Sequence, residues 1–252
     1  MWRVLIARAR QKHRTYDYPR LDPILPDRFR GRPVVAGAPV AEADTIVESC
    51  PAGALTAGAD RRLRLDMGKC LFCGKCERAC GGCGIRFSKE HRLAARRRED
   101  LVAAGGEGKI AEALHAEASR LFGHSLKLRQ VSAGGCNACE ADVNVLGTLV
   151  FDLGRFGIQF VASPRHADGL LVTGPVTRNM ELALMKTYKS IPAPKIVIAV
   201  GACAISGGLY ADHDEAHAGA GGFLPVDLFI PGCPPHPWTI LDGLLRFLGR
   251  LK

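Results

Sequence analysis

Ten cysteines stand in these 252 residues, and they are not scattered. Cys70, Cys73, Cys76 and Cys80 follow one another closely, Cys83 lies just beyond, and Cys50-Pro51 stands upstream. A second group is dispersed: Cys136-Asn137-Ala138-Cys139-Glu140, Gly201-Ala202-Cys203 and Pro231-Gly232-Cys233-Pro234-Pro235. A small buried thiol used as a hydrophobe accounts for one or two of these, not for the set. In a reducing compartment, clustered thiols read as metal ligands rather than disulfides. A structural zinc ion usually takes two separated pairs of ligands. Residues three apart in one tight loop instead point their thiolates inward around an iron–sulfur cubane. Lys69 and Lys75 favour the thiolate form there, and Gly74 lets the backbone come close to such a cluster.

The run from Cys70 to Cys80 resembles the second half of a two-cluster bacterial ferredoxin. Cys50-Pro51-Ala52-Gly53-Ala54-Leu55 resembles the end of the first half, whose leading three cysteines are absent. In that pattern the fourth cysteine of each run crosses over to the other cluster. The resemblance therefore implies one 4Fe-4S cluster on Cys50, Cys70, Cys73 and Cys76, with Cys80 and Cys83 left unassigned. Gly81 follows Cys80 where the pattern has proline.

The elements that must position these thiols divide the chain. Residues 1–49 are basic and punctuated by proline, with a first helix from Trp2. Residues 89–121 read as helical, the run Arg96-Arg97-Arg98-Glu99-Asp100 as an exposed helix face. After His124, short apolar runs at 126–131, 157–162, 169–173, 195–200 and 226–230 alternate with helical patterns. Val143, Leu146 and Val150 form one helix face; Ile240, Leu241, Leu244, Leu245 and Leu248 form another, with Pro237 in its first turn. Such alternation predicts an α/β domain with a mostly parallel sheet covered on both sides, for which a flavodoxin-like fold is expected. The ferredoxin resemblance implies a small α+β ferredoxin-like N-terminal domain beside it. The expected division is 1–95, a helical linker over 96–123, and 124–252. Cys136, Cys139, Cys203 and Cys233 all follow predicted strands, where open parallel sheets hold their ligands.

From about His124 onward the chain resembles the small subunits of membrane-associated, energy-converting (group 4) nickel–iron hydrogenases, relatives of the 20 kDa subunit of respiratory complex I. Gly134-Gly135-Cys136 to Glu140, Val172-Thr173-Gly174-Pro175-Val176, Gly201-Ala202-Cys203-Ala204 and Pro231-Gly232-Cys233-Pro234-Pro235 carry the likeness. It implies that Cys136, Cys139, Cys203 and Cys233 hold a proximal 4Fe-4S cluster beside a hydrogenase-type large subunit, with further iron–sulfur and membrane subunits as partners. Complex I subunits have adjacent cysteines at the first position; the two residues between Cys136 and Cys139 are the hydrogenase form. The implied function is an electron relay through two 4Fe-4S clusters, the chemistry residing on the large subunit. The alternative is a quinone-reducing or ion-pumping complex without nickel. Glu140 is a proton-path candidate, although a carboxylate in a first helical turn also suits the helix dipole. Gly174 and Pro175 shape a loop below the cluster. His236 caps or meets the surface, and the insert 210–222 with His213 and His217 reads as a mobile loop.

Composition excludes other classes. Residues 1–130 hold 25 Lys+Arg against 15 Asp+Glu, whereas residues 131–252 hold 9 against 10. No aromatic platform interleaves the basic residues, which argues against nucleic acid. There is no phosphate loop, dinucleotide fingerprint or nucleophile–base pair. MWRVLIARARQKHR lacks a leader's cleavage site, and no apolar run reaches the roughly 18–20 residues of a membrane span. The expectation is a peripheral protein at the cytoplasmic face, held through partner subunits without direct insertion.

Overall fold

The computed structural model describes residues 1–82, 84–106, 111–112, 121–122 and 124–251. Five strands of the C-terminal region form one sheet: β6 (Leu126–Ser132), β7 (Ile158–Phe160), β8 (Gly169–Thr173), β9 (Ile196–Val200) and β10 (Leu228–Ile230). All its pairings are parallel, in the order β10-β9-β8-β6-β7. That is the flavodoxin order, and the winding reverses between β6 and β8. Both β8 and β9 are buried at every position, as a sheet covered on both faces requires.

Alternate residues of the strands feed different cores. Leu128, Leu171, Ile198 and Ile230 meet Val143 and Leu146 near α4 (Ala138–Val145) and the apolar face of α7 (Pro237–Phe247). On the other face, Leu170, Val172 and Val197 pack with Leu184 of α5 (Arg178–Ser190). Val150 departs from the expected face: it lies beyond α4 and is exposed. Pro237 opens α7 as expected, and the His236 ring caps it, accepting from Trp238 N–H at 3.2 Å.

The N-terminal region begins with α1 (Trp2–Gln11) and continues through β1 (Pro33–Val35), α2 (Ala43–Glu48), β2 (Leu55–Ala57), β3 (Leu63–Asp66), α3 (Lys75–Ala79), β4 (Ile85–Phe87) and β5 (Val102–Ala103). β2, β3 and β5 form one antiparallel sheet, and β1 pairs with β4. The helix expected from residue 89 is absent over 89–103. Ala95 forms a bridge to Phe229 of β10, Arg98–Leu101 is a single tight turn, and Val102–Ala103 pairs with β3. Tertiary pairing overrides the helical propensity of this basic run. Residues 107–110, 113–120 and 123, where the rest of the linker falls, lie outside the described residues.

The two regions share a core. Ile46, Leu65, Met67 and Ile85 of the N-terminal region cluster with Ala199, Ala204, Ile205 and Phe229. The remaining face of the β9–β10 edge is thus covered by the N-terminal module. The short helix α6 (Ala202–Ser206) sits at the seam, its Ser206 hydroxyl donating to Gly68 O at 3.0 Å. Among the described residues no helix is long and apolar enough to cross a membrane.

Candidate metal centres

Cys50, Cys70, Cys73 and Cys76 line a single cavity with about 320 Å³ of unfilled space counted out to its mouth. Its remaining wall is largely apolar, including Leu55, Leu65 and Phe87. The turn after α2 delivers Cys50, the loop after β3 delivers Cys70 and Cys73, and α3 carries Cys76. Backbone N–H groups point at the sulfurs: Ala54 donates to Cys50 Sγ and Phe72 to Cys70 Sγ, each at 3.3 Å. Burial above all, then the neighbouring thiols, pushes the Cys70 thiol up to about 12 and Cys76 to about 11. Without metal these groups are protonated thiols; binding must release their protons, a cost that a cation's charge offsets.

Cys80 is not part of that wall. It is buried, and its thiol donates to Glu77 O and Ile85 O at 3.6 Å each, so α3 and β4 use it as a packed hydrogen-bonding thiol. Cys83 lies outside the described residues.

Sequence reasoning missed what aims the Cys70 loop. Arg98, expected on an exposed helix face, reaches Asp66 at the end of β3 with two hydrogen bonds, at 2.7 and 2.5 Å. Asp66 in turn accepts from Gly68 N–H at 2.8 Å, and its carbonyl accepts from Cys70 N–H at 3.1 Å. The fork of the guanidinium holds the loop's root. A Cβ on Gly68 would lie 2.7 Å from that guanidinium and 2.8 Å from Ile205, so only glycine lets loop, arginine and α6 meet. Gly74 lines the same cavity, takes φ +70°, and is also pressed from behind, where a Cβ would meet Arg30 at 2.6 Å.

The second set is built at the carboxyl ends of three strands. Cys136 and Cys139 follow β6, Cys203 follows β9 at the start of α6, and Cys233 follows β10. The four thiols are electrostatic neighbours. Burial foremost, then Glu140 and the other three cysteines, raises Cys139; burial, then Cys233 and Cys136, lifts Cys203 to about 11. Cys136 and Cys233 are exposed. Gly201 takes φ +91°, and a Cβ there would stand 2.5 Å from Cys139 Sγ. Gly174 takes φ +82° and backs directly onto the Cys136 loop, where a Cβ would stand 2.5 Å from Gly135 N.

Glu140 is buried beneath this set and accepts from Thr173 Oγ1 at 2.6 Å. Burial works to raise its carboxyl, but hydrogen bonds to Ser132 and Thr173 outweigh it and hold the group below the usual carboxylate range. It is therefore an anchored anion tying α4 to β8. The insert 210–222 is packed rather than loose: His217 N donates to Val176 O at 3.0 Å, its ring meets Glu181 at 3.2 Å, and Ala220 is buried.

Donor chemistry fits an iron–sulfur group at both places. Among the described residues no three His, Cys, Asp or Glu side chains gather as ligands of a single ion would. The N-terminal four thiols, lining one cavity, suit a polynuclear cluster whose irons each take one protein sulfur.

Four thiols at the carboxyl edge of a flavodoxin-ordered sheet define an α/β redox subunit. Residues 136–247 match the family of the NADH ubiquinone oxidoreductase 20 kDa subunit. The chain belongs to that family. It is 41% identical over 145 residues to the probable membrane-bound hydrogenase subunit mbhJ of Pyrococcus furiosus, covering 58% of this chain and 87% of that one. Formate hydrogenlyase subunit 7 of Escherichia coli is 46% identical over 123 residues, 49% of this chain and 48% of that protein, so only about half of that relative's length is spanned. An NADH-quinone oxidoreductase subunit of Carboxydothermus hydrogenoformans is 41% identical over 119 residues, 47% of this chain and 72% of that one. The chain is accordingly an oxidoreductase subunit of the electron-transfer kind found in hydrogenase and complex I-like assemblies.

Proposed function

We propose that this chain relays electrons through two 4Fe-4S clusters, one on Cys50, Cys70, Cys73 and Cys76 and one on Cys136, Cys139, Cys203 and Cys233. The observation that carries this reading is the N-terminal cavity, which draws in the distant Cys50 and leaves out Cys80. When bound, the clusters supply one-electron chemistry; the chain's own residues set the surroundings. Apolar walls and N–H donors to Cys50 and Cys70 tune the first site. Glu140 holds a fixed negative charge beneath the second, and we assign it to anchoring α4, with a proton path the lesser role.

The exposed Cys136 and Cys233 loops belong, in this reading, against a large subunit of the hydrogenase type, with further iron–sulfur and membrane subunits beyond it. The two residues separating Cys136 from Cys139 favour a nickel–iron partner over a nickel-free, quinone-reducing one. The whole would lie peripherally at the cytoplasmic face. We place the division between the two parts after β5, which pairs with β3, and before β6, with the seam at α6 joining them.

Iron and sulfide quantitation after anaerobic reconstitution should give about eight irons per chain, and metal analysis of the purified complex should find nickel. About four irons would remove one cluster from the proposal, and a nickel-free active complex would remove the hydrogenase assignment.

A further inference from the structure

Helix α1 stands apart from both thiol sets. None of its residues is buried, and none of its side chains belongs to the cores of the described residues. At 100° per residue, Leu5, Ala9, Trp2 and Ile6 fall within an arc of roughly 100°. Arg8 borders that arc on one side, and Arg10 and Arg3 border it on the other. Trp2 is 79% exposed, and Leu5 and Ile6 are also exposed. The segment before Asp17 carries Arg3, Arg8, Arg10, Lys12 and Arg14 and no acidic residue.

A short tether fixes where this helix stands. Tyr16 N donates to Val150 O at 3.0 Å, and Arg155 donates to Tyr16 O at 2.7 Å. Beside that anchor point, Leu149 is 73% exposed and Val150 is also exposed. Exposed apolar residues from two distant parts of the sequence therefore stand at the ends of a short connection that carries Lys12 and Arg14.

We infer that α1 is an interfacial anchor, lying flat on an anionic lipid surface with Trp2, Leu5, Ile6 and Ala9 in the headgroup layer and the arginines paired with lipid phosphates. Charge selects this occupant. Cations of one sign flank an apolar stripe, so long side chains can reach phosphate while their stems stay in the apolar layer. Nucleic acid would leave the stripe in water. An acidic protein groove would satisfy the arginines; a lipid surface also takes the exposed Leu149 and Val150 beside the tether. The inference is independent of the cluster assignments, since α1 lines neither thiol set.

The test uses the full chain, loaded without oxygen, and vesicles of phosphatidylcholine alone or with about a third phosphatidylglycerol. Trp238 is 4% exposed, so the difference spectrum against Trp2→Phe reports on Trp2. Its emission should shift to the blue, and the chain should float, with the anionic vesicles only. At about 1 M salt, where screening acts within about 3 Å, uptake should be lost. Arg3→Gln with Arg8→Gln and Arg10→Gln should weaken partitioning on the order of 100-fold, from roughly five-fold per cation. Leu5→Gln with Ile6→Gln should weaken it at least about ten-fold, and both variants should keep their iron. Equal uptake by neutral vesicles, no uptake by anionic ones, or uptake that survives the Leu5 and Ile6 changes would each overturn the inference. So would shielding of Trp2 from an aqueous quencher in lipid-free purified complex, which would make a protein the occupant.

Discussion

The two thiol sets differ in how the chain assembles them. The C-terminal set gathers its members from the ends of β6, β9 and β10, which are far apart in sequence but rigidly spaced by the sheet. The N-terminal set takes three from one loop and one short helix, and a fourth from the turn after α2. Exposure runs the opposite way to what this suggests. Of the local set Cys70 and Cys76 are buried and Cys73 alone is exposed, whereas of the set after the strands none is fully buried and Cys136 and Cys233 are open. The sheet supplies geometry without cover, leaving a face for another subunit. The small module must supply its own cover, and does so with Leu55, Leu65 and Phe87. A site can be pre-organised by its scaffold and still depend on a partner for exclusion of water.

The largest expected effect separates the sites outright. Cys50→Ala should abolish the N-terminal cluster's electron paramagnetic resonance signal and halve the iron, leaving the C-terminal signal intact. Cys80→Ala should leave both signals, since the Cys80 thiol stands outside the cavity wall and donates to Glu77 O and Ile85 O. If the two variants exchange behaviour, the N-terminal loop wraps a local four-cysteine site and the crossing-over pattern fails.

A second pair of variants compares the glycines. At Gly201 a Cβ would meet the Cys139 sulfur at 2.5 Å, with φ at +91°. At Gly74 it would meet the Arg30 guanidinium at 2.6 Å, the far end of a flexible side chain, with φ at +70°. Both substitutions carry about 1–3 kcal/mol of backbone strain. Gly201→Ala should additionally displace a ligand, so iron at the C-terminal site should fall by more than half. Gly74→Ala should lower stability while iron stays close to its full amount. Equal iron loss in both would mean that ligand displacement is not what distinguishes them.

What could be read from the sequence follows the same division. Strands β8 to β10 were legible because apolar runs flanked by glycine and proline have few other uses, β6 because Leu126, Leu128 and Val131 recur among polar residues, and the cysteines behind them fell where parallel sheets hold ligands. The linker was not. Arg96 to Asp100 has helix-forming residues, but Ala95 bridges to Phe229 and Arg98 clamps Asp66, contacts that only long-range pairing creates. The insert 210–222 misled for a related reason. Its glycines suggest looseness, yet His217 and Glu181 meet only because α5 passes beside it.

The seam tests whether two separately built regions form one folding unit. Tyr18 OH donates to the fully buried Asp242 of α7 at 2.7 Å, and Arg246 also binds that carboxylate. Burial foremost, then Asp242, drives the tyrosine hydroxyl far above its usual range, so it stays a donor. Tyr18→Phe leaves Asp242 with one partner fewer and should cost about 1–3 kcal/mol. A single melting transition lowered by several degrees is expected, since each kcal/mol moves a chain of this size by about 2–4 °C. Melting of the C-terminal region alone, with the N-terminal cluster's spectrum unchanged, would show two independent units.

The smallest effect lies at the same seam and is read through pH. His91 comes from the N-terminal module, is 4% exposed, and packs edge-on against Tyr18 with ring centroids 6.1 Å apart. Burial lowers its affinity for a proton, more than the facing carboxylates Asp242, Glu90 and Asp22 restore it, while Arg92 opposes the charge as well. The unfolded chain therefore binds a proton here that the folded chain refuses. Stability from this group is complete above the ordinary histidine value near 6.5, and is lost as pH falls from there toward the depressed folded value. His91→Phe keeps an aromatic ring of similar size and removes the titration. The difference in melting temperature between the native chain and this variant should be constant above about pH 7 and should move against the native chain between about pH 6.5 and 5.5. His236, lowered by burial and then by the His91 charge, titrates in both proteins, so its coupling to His91 forms part of the same difference. A difference that stays flat across that window would mean that His91 is not held neutral at the seam, and that the contact between the two regions is looser than its packing against Tyr18 requires.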